Sequence, residues 1–186
     1  MNRPPSYTAQ LRKLSLFKTL SEREADLLQQ HVQPMFAQRG QTLFAEGDPG
    51  NSCFIIVTGK VGVYKSLPGH SGSGPEGSSK VATLEAGALV GHMALIDNKR
   101  RSATCCVEDD GTLLLSLDRG EFDMLFNAKT PFAFKILDQI ALDLVGTLRR
   151  TTALLQKAHQ EQDRSEQVEV VLAATRQVPG SVPFDR

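Results

Sequence analysis

The residues of this chain best suited to chemistry lie in one stretch, Gly87-Ala88-Leu89-Val90-Gly91-His92-Met93-Ala94-Leu95-Ile96-Asp97-Asn98-Lys99-Arg100-Arg101-Ser102-Ala103-Thr104. Set in a region patterned as strands, it reads as one turn of helix, a basic loop and a return to strand. A short helix beginning near Gly91 presents backbone N–H groups and the positive end of its dipole, and Arg101 follows with a planar fork of N–H donors. Ser102 adds a hydroxyl. Together these are the parts of an anion site. Each also has a plainer reading: Gly91 as a turn glycine, Arg101 as one of three solvated bases with Lys99 and Arg100, Ala94 as filler under a tight helix.

Other motifs do not assemble. Gly72, Gly74 and Gly77 form a formal GxGxxG, but Pro75 interrupts it and Ser78-Ser79-Lys80 leads into a strand, so a mobile loop is expected there and not a dinucleotide site. Gly59-Lys60 lacks the upstream glycine and the following hydroxyl residue of a phosphate loop, and Gly69-His70-Ser71-Gly72-Ser73 ends on serine, so it is no nucleophile elbow. The histidines, at 31, 70, 92 and 159, lie too far apart for a metal ligand set. The sequence reads as a non-enzyme with no resident metal or cofactor.

Composition narrows the classes further. A chain of 186 residues suits one globular domain, able to bury roughly 70% of its unfolded surface without a disulfide or metal. The 21 Lys plus Arg balance 21 Asp plus Glu, which argues against gripping nucleic acid through its phosphates. Apolar runs such as Phe54 to Val57 and Leu113 to Leu115 fall far short of the ~20 residues a membrane helix needs. Met1-Asn2-Arg3-Pro4-Pro5 leads into a polar segment without an apolar signal core, so a cytoplasmic location is expected. Cys53, Cys105 and Cys106, odd in number and without a CxxC, read as reduced thiols among apolar neighbours.

The elements that must position the anion site run helix, strands, helix. Leu11, Leu14, Phe17 and Leu20 recur at helical spacing, and Ser21 with Glu24 forms a capping box for a helix to about His31. Strands are expected at 42–44, 53–58, 61–64, 81–84, 102–107 and 112–117, punctuated by Gly47-Asp48-Pro49-Gly50-Asn51, Thr58-Gly59-Lys60 and Asp109-Asp110-Gly111. Residues 66–80, rich in Gly, Ser and Pro, read as the loop between two of them. Asp118 and Glu121 start a short helix with Phe122, Leu125 and Phe126; Thr130-Pro131 starts a long one, expected over 131–163. Leu137, Ala141, Leu144, Leu148, Thr151, Leu155 and Ala158 alternate in steps of four and three, a heptad seam that predicts a partner helix and a homodimer. Residues 164–186 are left as a tail. The fold class is mainly β with flanking helices: a double-stranded β-helix, or jelly roll, over 1–130 with N-terminal helices and a long C-terminal helix.

The stretch from Gly87 to Thr104 resembles the phosphate-binding cassette of the cyclic nucleotide-binding domains. The family pattern G-E-x-A-L, a loop, then R-x-A-T or R-S-A maps onto Gly91, Ala94, Leu95, Arg101, Ala103 and Thr104 without a gap, and Gly40, Glu46-Gly47-Asp48, Phe54-Ile55-Ile56, Gly59 and the opening Leu16-Phe17-Lys18-Thr19-Leu20-Ser21 fall where the family places them. The resemblance implies a signalling module that binds cyclic AMP or cyclic GMP. Gly91, His92, Met93, Ala94, Arg101, Ser102 and Ala103 would touch the ligand, with Arg101 on the cyclic phosphate and Ser102 supporting it, and the C-terminal helix would carry the signal. No helix-turn-helix follows, so no nucleic acid is expected to bind this chain alone. Two positions depart from the pattern: His92 stands where the family carries the glutamate that accepts the ribose hydroxyl, and Arg100 stands where kinase-type cassettes carry proline. Hence the alternative reading, a degenerate member that keeps the fold, binds no ligand and serves as a protein interaction module.

Overall fold

The alternation that marks a half-buried strand is missing from the strands at 52–58 and 112–118, because both lie between two apolar layers. The computed structural model describes residues 7–67 and 77–176. Helices α1 (Thr8–Lys13) and α2 (Glu22–His31) come first. Strands β1 (Gln33–Ala37), β2 (Thr42–Phe44), β3 (Ser52–Thr58), β4 (Val61–Ser66), β5 (Ser78–Leu84) and β6 (Leu89–Val90) follow. Helix α3 (Met93–Asp97) then interrupts the strands before β7 (Thr104–Val107) and β8 (Thr112–Asp118), and α4 (Arg119–Asn127) and α5 (Pro131–Arg176) close the chain.

The strands form two four-stranded antiparallel sheets, ordered β1-β8-β3-β6 and β2-β7-β4-β5, the arrangement of a jelly roll. Residues from both sheets, among them Phe54, Ile56, Val61, Val90, Cys105 and Leu114, meet in one apolar core inside the roll. The opposite face of the first sheet, with Cys53, Ile55, Leu115 and Leu117, packs on Leu11, Phe17, Leu28, Phe122, Phe132 and Ile136 from the helices. So β3 is buried at every position but its last.

Helix starts follow the residue chemistry in part. The Ser21–Glu24 capping box forms in full. Asp118 precedes α4 without a side-chain cap, and Thr130 donates its hydroxyl back to the Leu125 carbonyl (2.8 Å). Strand β1 was not anticipated; it carries Pro34, which an edge strand tolerates. The expected loop at 66–80 is flanked more closely than foreseen, since β4 ends at Ser66 and β5 begins at Ser78; its centre, with Gly72, Gly74 and the Gly69-to-Ser73 motif, lies outside the described residues. Helix α5 passes the expected end near residue 163 and reaches Arg176, and the rest of the expected tail lies outside the described residues.

The chain divides into two units, Met1–Ala141 and Leu142–Arg186. In the first, α5 buries Phe132, Ala133, Ile136 and Ile140, and Leu137 lies partly buried beside them. In the second, Leu142, Leu148, Leu154 and Leu155 are each about two-thirds exposed.

Candidate functional site

Arg101 is placed by its main chain. Asn98, in the left-handed conformation (φ 53°), ends α3, and the arm that follows runs beside the turn at 45–48. The Gly47 N–H donates to the Arg101 carbonyl (2.9 Å) and the Arg101 N–H to the Asp48 carbonyl (2.9 Å). The turn is itself closed by Ala45 N–H on the Asp48 carboxylate (2.8 Å), and the Glu46 N–H donates to Thr104 Oγ1 (2.9 Å).

Held this way, the side chain points inward and is only 6% exposed. Nη1 donates to the Gly91 carbonyl (2.9 Å), Nη2 to Ser52 Oγ (3.3 Å), and Cζ lies 4.0 Å from the centre of the Phe44 ring. Nε is buried with no acceptor among the described residues, and no carboxylate there forms an ion pair with the guanidinium. Burial pulls its pKa down, with only the thiols of Cys53 and Cys105 and the Asp48 carboxylate opposing. A desolvated charge without a counter-charge costs several kcal/mol, and a carbonyl, a hydroxyl and a ring face offset only part of that. An anion would complete the arrangement.

Space for one adjoins it. A cavity of about 150 Å³ is lined by Phe44, Val63, Leu84, Leu89, Val90 and Cys105 and by all seven residues singled out in the sequence, Gly91, His92, Met93, Ala94, Arg101, Ser102 and Ala103. Gly91 is more than a turn glycine: its φ is 70°, and a Cβ there would stand 2.5 Å from Arg101 Nη1 and 2.9 Å from Phe44 Cζ. Ala94 also packs: its Cβ sits 2.6 Å from where a Cβ on Gly50 would be, so two small residues let α3 close onto the turn after β2. Met93 is 44% exposed and accepts a weak contact from the Ser102 hydroxyl (Sδ, 3.7 Å). Arg100 is not a wall of the cavity; it donates to the Gly47 carbonyl (2.7 Å).

His92 precedes α3 with Nδ1 3.3 Å from the Leu89 carbonyl. A carbonyl can only accept, so Nδ1 carries the proton in this geometry and Nε2 is left as an acceptor. Because α3 has only five residues, its dipole is small, and the electrostatic weight of the site falls on Arg101. Burial pushes the Cys53 and Cys105 thiols up to about 12, so both stay neutral beside it.

Three contributors escaped the sequence reading: Phe44 under the guanidinium, Ser52 as its acceptor, and Gly50 against Ala94. The cluster Gly47-Asp48-Pro49-Gly50-Asn51 signalled a turn but not that the turn would meet α3.

The family described as "Cyclic nucleotide-binding domain" matches residues 34–129. A cGMP-dependent protein kinase 2 from Mus musculus is 30% identical over 148 residues, 80% of this chain but 18% of that protein. A Cyclic AMP receptor protein from Thermus thermophilus is 34% identical over 107 residues, 58% of this chain and 46% of that protein. The chain therefore spans less than a fifth of the first of these relatives and just under half of the second. The crystal structure of Thermus thermophilus Catabolite Activator Protein superposes with a TM-score of 0.70 at 27% identity, covering 89% of this chain and 72% of that one. Among the described residues no helix is long and apolar enough to cross a membrane.

Proposed function

The chain belongs to the cyclic nucleotide-binding domain family, and from that premise we propose that it binds a cyclic nucleoside monophosphate, cyclic AMP or cyclic GMP, in the cavity beside Arg101. The observation that carries the proposal is the buried guanidinium, which has no carboxylate partner and an orphaned Nε among the described residues. The cyclic phosphate, a monoanion, supplies the missing charge and acceptor. Ser102 supports it from the arm, Gly91 and Ala94 leave room for the sugar to approach main chain, and His92 Nε2 accepts from the ribose hydroxyl. Met93 and Ala103 complete the wall. The protein acts as a regulatory module and not as a catalyst, works in the cytoplasm where its three buried thiols stay reduced, and signals through its C-terminal helix. Binding favours one disposition of that helix, to an extent set by differential affinity. The exposed leucines of 142–155 supply the seam of a homodimer that receives the signal.

A second reading draws on His92 and on the bonds Arg101 already makes to Gly91 and Ser52: the site binds no ligand and the fold serves as an interaction module. Thermal unfolding separates the two. A ligand at about a hundred times its Kd stabilises by ~2.7 kcal/mol, or about 5–10 °C in a chain of this size. Cyclic AMP or cyclic GMP at millimolar level should raise the Tm by that amount. Arg101→Met should abolish the shift, and without ligand it should melt no lower than the unmutated protein, because a methionine carries no charge to desolvate. No shift with either nucleotide sinks the reading.

A further inference from the structure

One charged cluster outside the cavity touches the arm that carries Arg101. Lys65, near the end of β4, donates its Nζ to two acceptors at once, the Glu46 carboxylate and the main-chain carbonyl of Ser102, the latter at 2.8 Å. The other oxygen of Glu46 accepts from the Ser66 N–H (3.0 Å), and the Glu46 N–H donates to Thr104 Oγ1 (2.9 Å). The Lys65 ammonium and the Ser66 N–H hold the Glu46 carboxyl down to about 2, so it is a carboxylate across the neutral range. Three segments distant in sequence are thereby tied at one point: strand β4, the turn at 45–48 and the arm at 101–104.

Resting on the reading of Arg101 as the anion's ligand, we propose that Lys65 and Glu46 are positioning residues that clamp the turn to the arm and so hold the Arg101 guanidinium inside the cavity. Neither residue lines the cavity, so neither is a ligand. The need for a clamp follows from the desolvation of Arg101: an arm free to move would return the guanidinium to water, and the ligand would have to drag it back. The main-chain pairing of Gly47 and Asp48 with Arg101 fixes where the side chain starts, and the ion pair holds that pairing together from the side of β4. Fixing the donor before the ligand arrives is a direct source of affinity.

The charges distinguish this from simple attraction. If Lys65 acted only as a nearby positive charge, neutralising Glu46 would raise the local potential and tighten anion binding. The clamp requires the opposite sign.

Titrate cyclic AMP and cyclic GMP calorimetrically into full-length Glu46→Gln, Lys65→Met, Lys65→Arg and the Glu46→Gln/Lys65→Met double variant, and measure amide hydrogen exchange on the same ligand-free proteins. Glu46→Gln and Lys65→Met should each weaken nucleotide binding about three- to tenfold. The double variant should lose little more than the worse single, and Lys65→Arg should retain most of the affinity. In the ligand-free proteins the amides of Gly47 and Arg101 should exchange several-fold faster in both single variants. Tighter binding by Glu46→Gln overturns the clamp, and so does unchanged exchange at those two amides. If the unmutated protein binds neither nucleotide, the functional reading fails and the exchange data alone decide the clamp.

Discussion

Arg101 is costly where it lies, and each neighbour fits a role in making that position workable. The Gly91 carbonyl accepts one of its nitrogens, Ser52 another, and the Phe44 face lies against the plane. Gly91 and Arg101 were readable as parts of one anion site from a helical turn followed by a basic loop within eleven consecutive positions, and Ala94 joined them through the resemblance to the cassette. Phe44, Gly50 and Ser52 were not readable, because their contacts are made by folding, across 49 residues in the case of Ser52. At His92 the account makes a directional prediction. A neutral acceptor bond is worth ~0.5–1.5 kcal/mol and a charged one ~1.5–3, so His92→Glu should tighten binding of cyclic AMP or cyclic GMP about five- to thirtyfold. An unchanged or weaker Kd by fluorescence titration would mean that this position does not face the ribose.

At the scale of elements, what the sequence conveyed depended on how many faces each segment buries. Strands β3 and β8 carry near-continuous apolar runs because one face meets the roll interior and the other the helices. That made them easy to recognise as strands and impossible to orient by alternation. Strand β1 hid behind Gln33 and Pro34, and β6 was too short, at two residues, to leave a pattern. Helix α5 runs past residue 163 because no proline breaks the sequence until Pro179. The joint between the turn at 45–48 and strand β4 has its own test. Glu46 stays ionised in the folded protein down to about 2, against an ordinary 4.5. In the unfolded chain it takes up a proton at higher pH, so unfolding binds a proton in this window and stability falls as pH drops from about 4.5 to about 2. The stability gap between the unmutated protein and Glu46→Gln, measured by urea unfolding, should therefore be largest near neutrality and close toward pH ~2. A gap that stays constant over that range would contradict the ion pair.

Across the whole molecule, the roll with its helices and the exposed leucine-bearing part of α5 form separate units. The heptad seam read from sequence begins at Leu137, yet the face that α5 buries in the first unit is Phe132, Ala133, Ile136 and Ile140, one step round the helix. The seam leucines beyond 141, Leu144, Leu148 and Leu155, are exposed. Sedimentation should accordingly show a dimer for the unmutated protein and a monomer for the Leu148→Glu/Leu155→Glu variant, with nucleotide affinity of the roll largely retained. A monomeric unmutated protein would remove the seam from the signalling route. Whether the buried guanidinium takes a cyclic phosphate is decided by isothermal calorimetry of cyclic AMP and of cyclic GMP with nucleotide-free protein and with Arg101→Met. Saturable one-to-one binding of at least one nucleotide is expected, weakened by at least about thirtyfold in the variant, as when one partner of a buried charge pair is removed. Absence of heat with both nucleotides, or equal affinity in the variant, would contradict it.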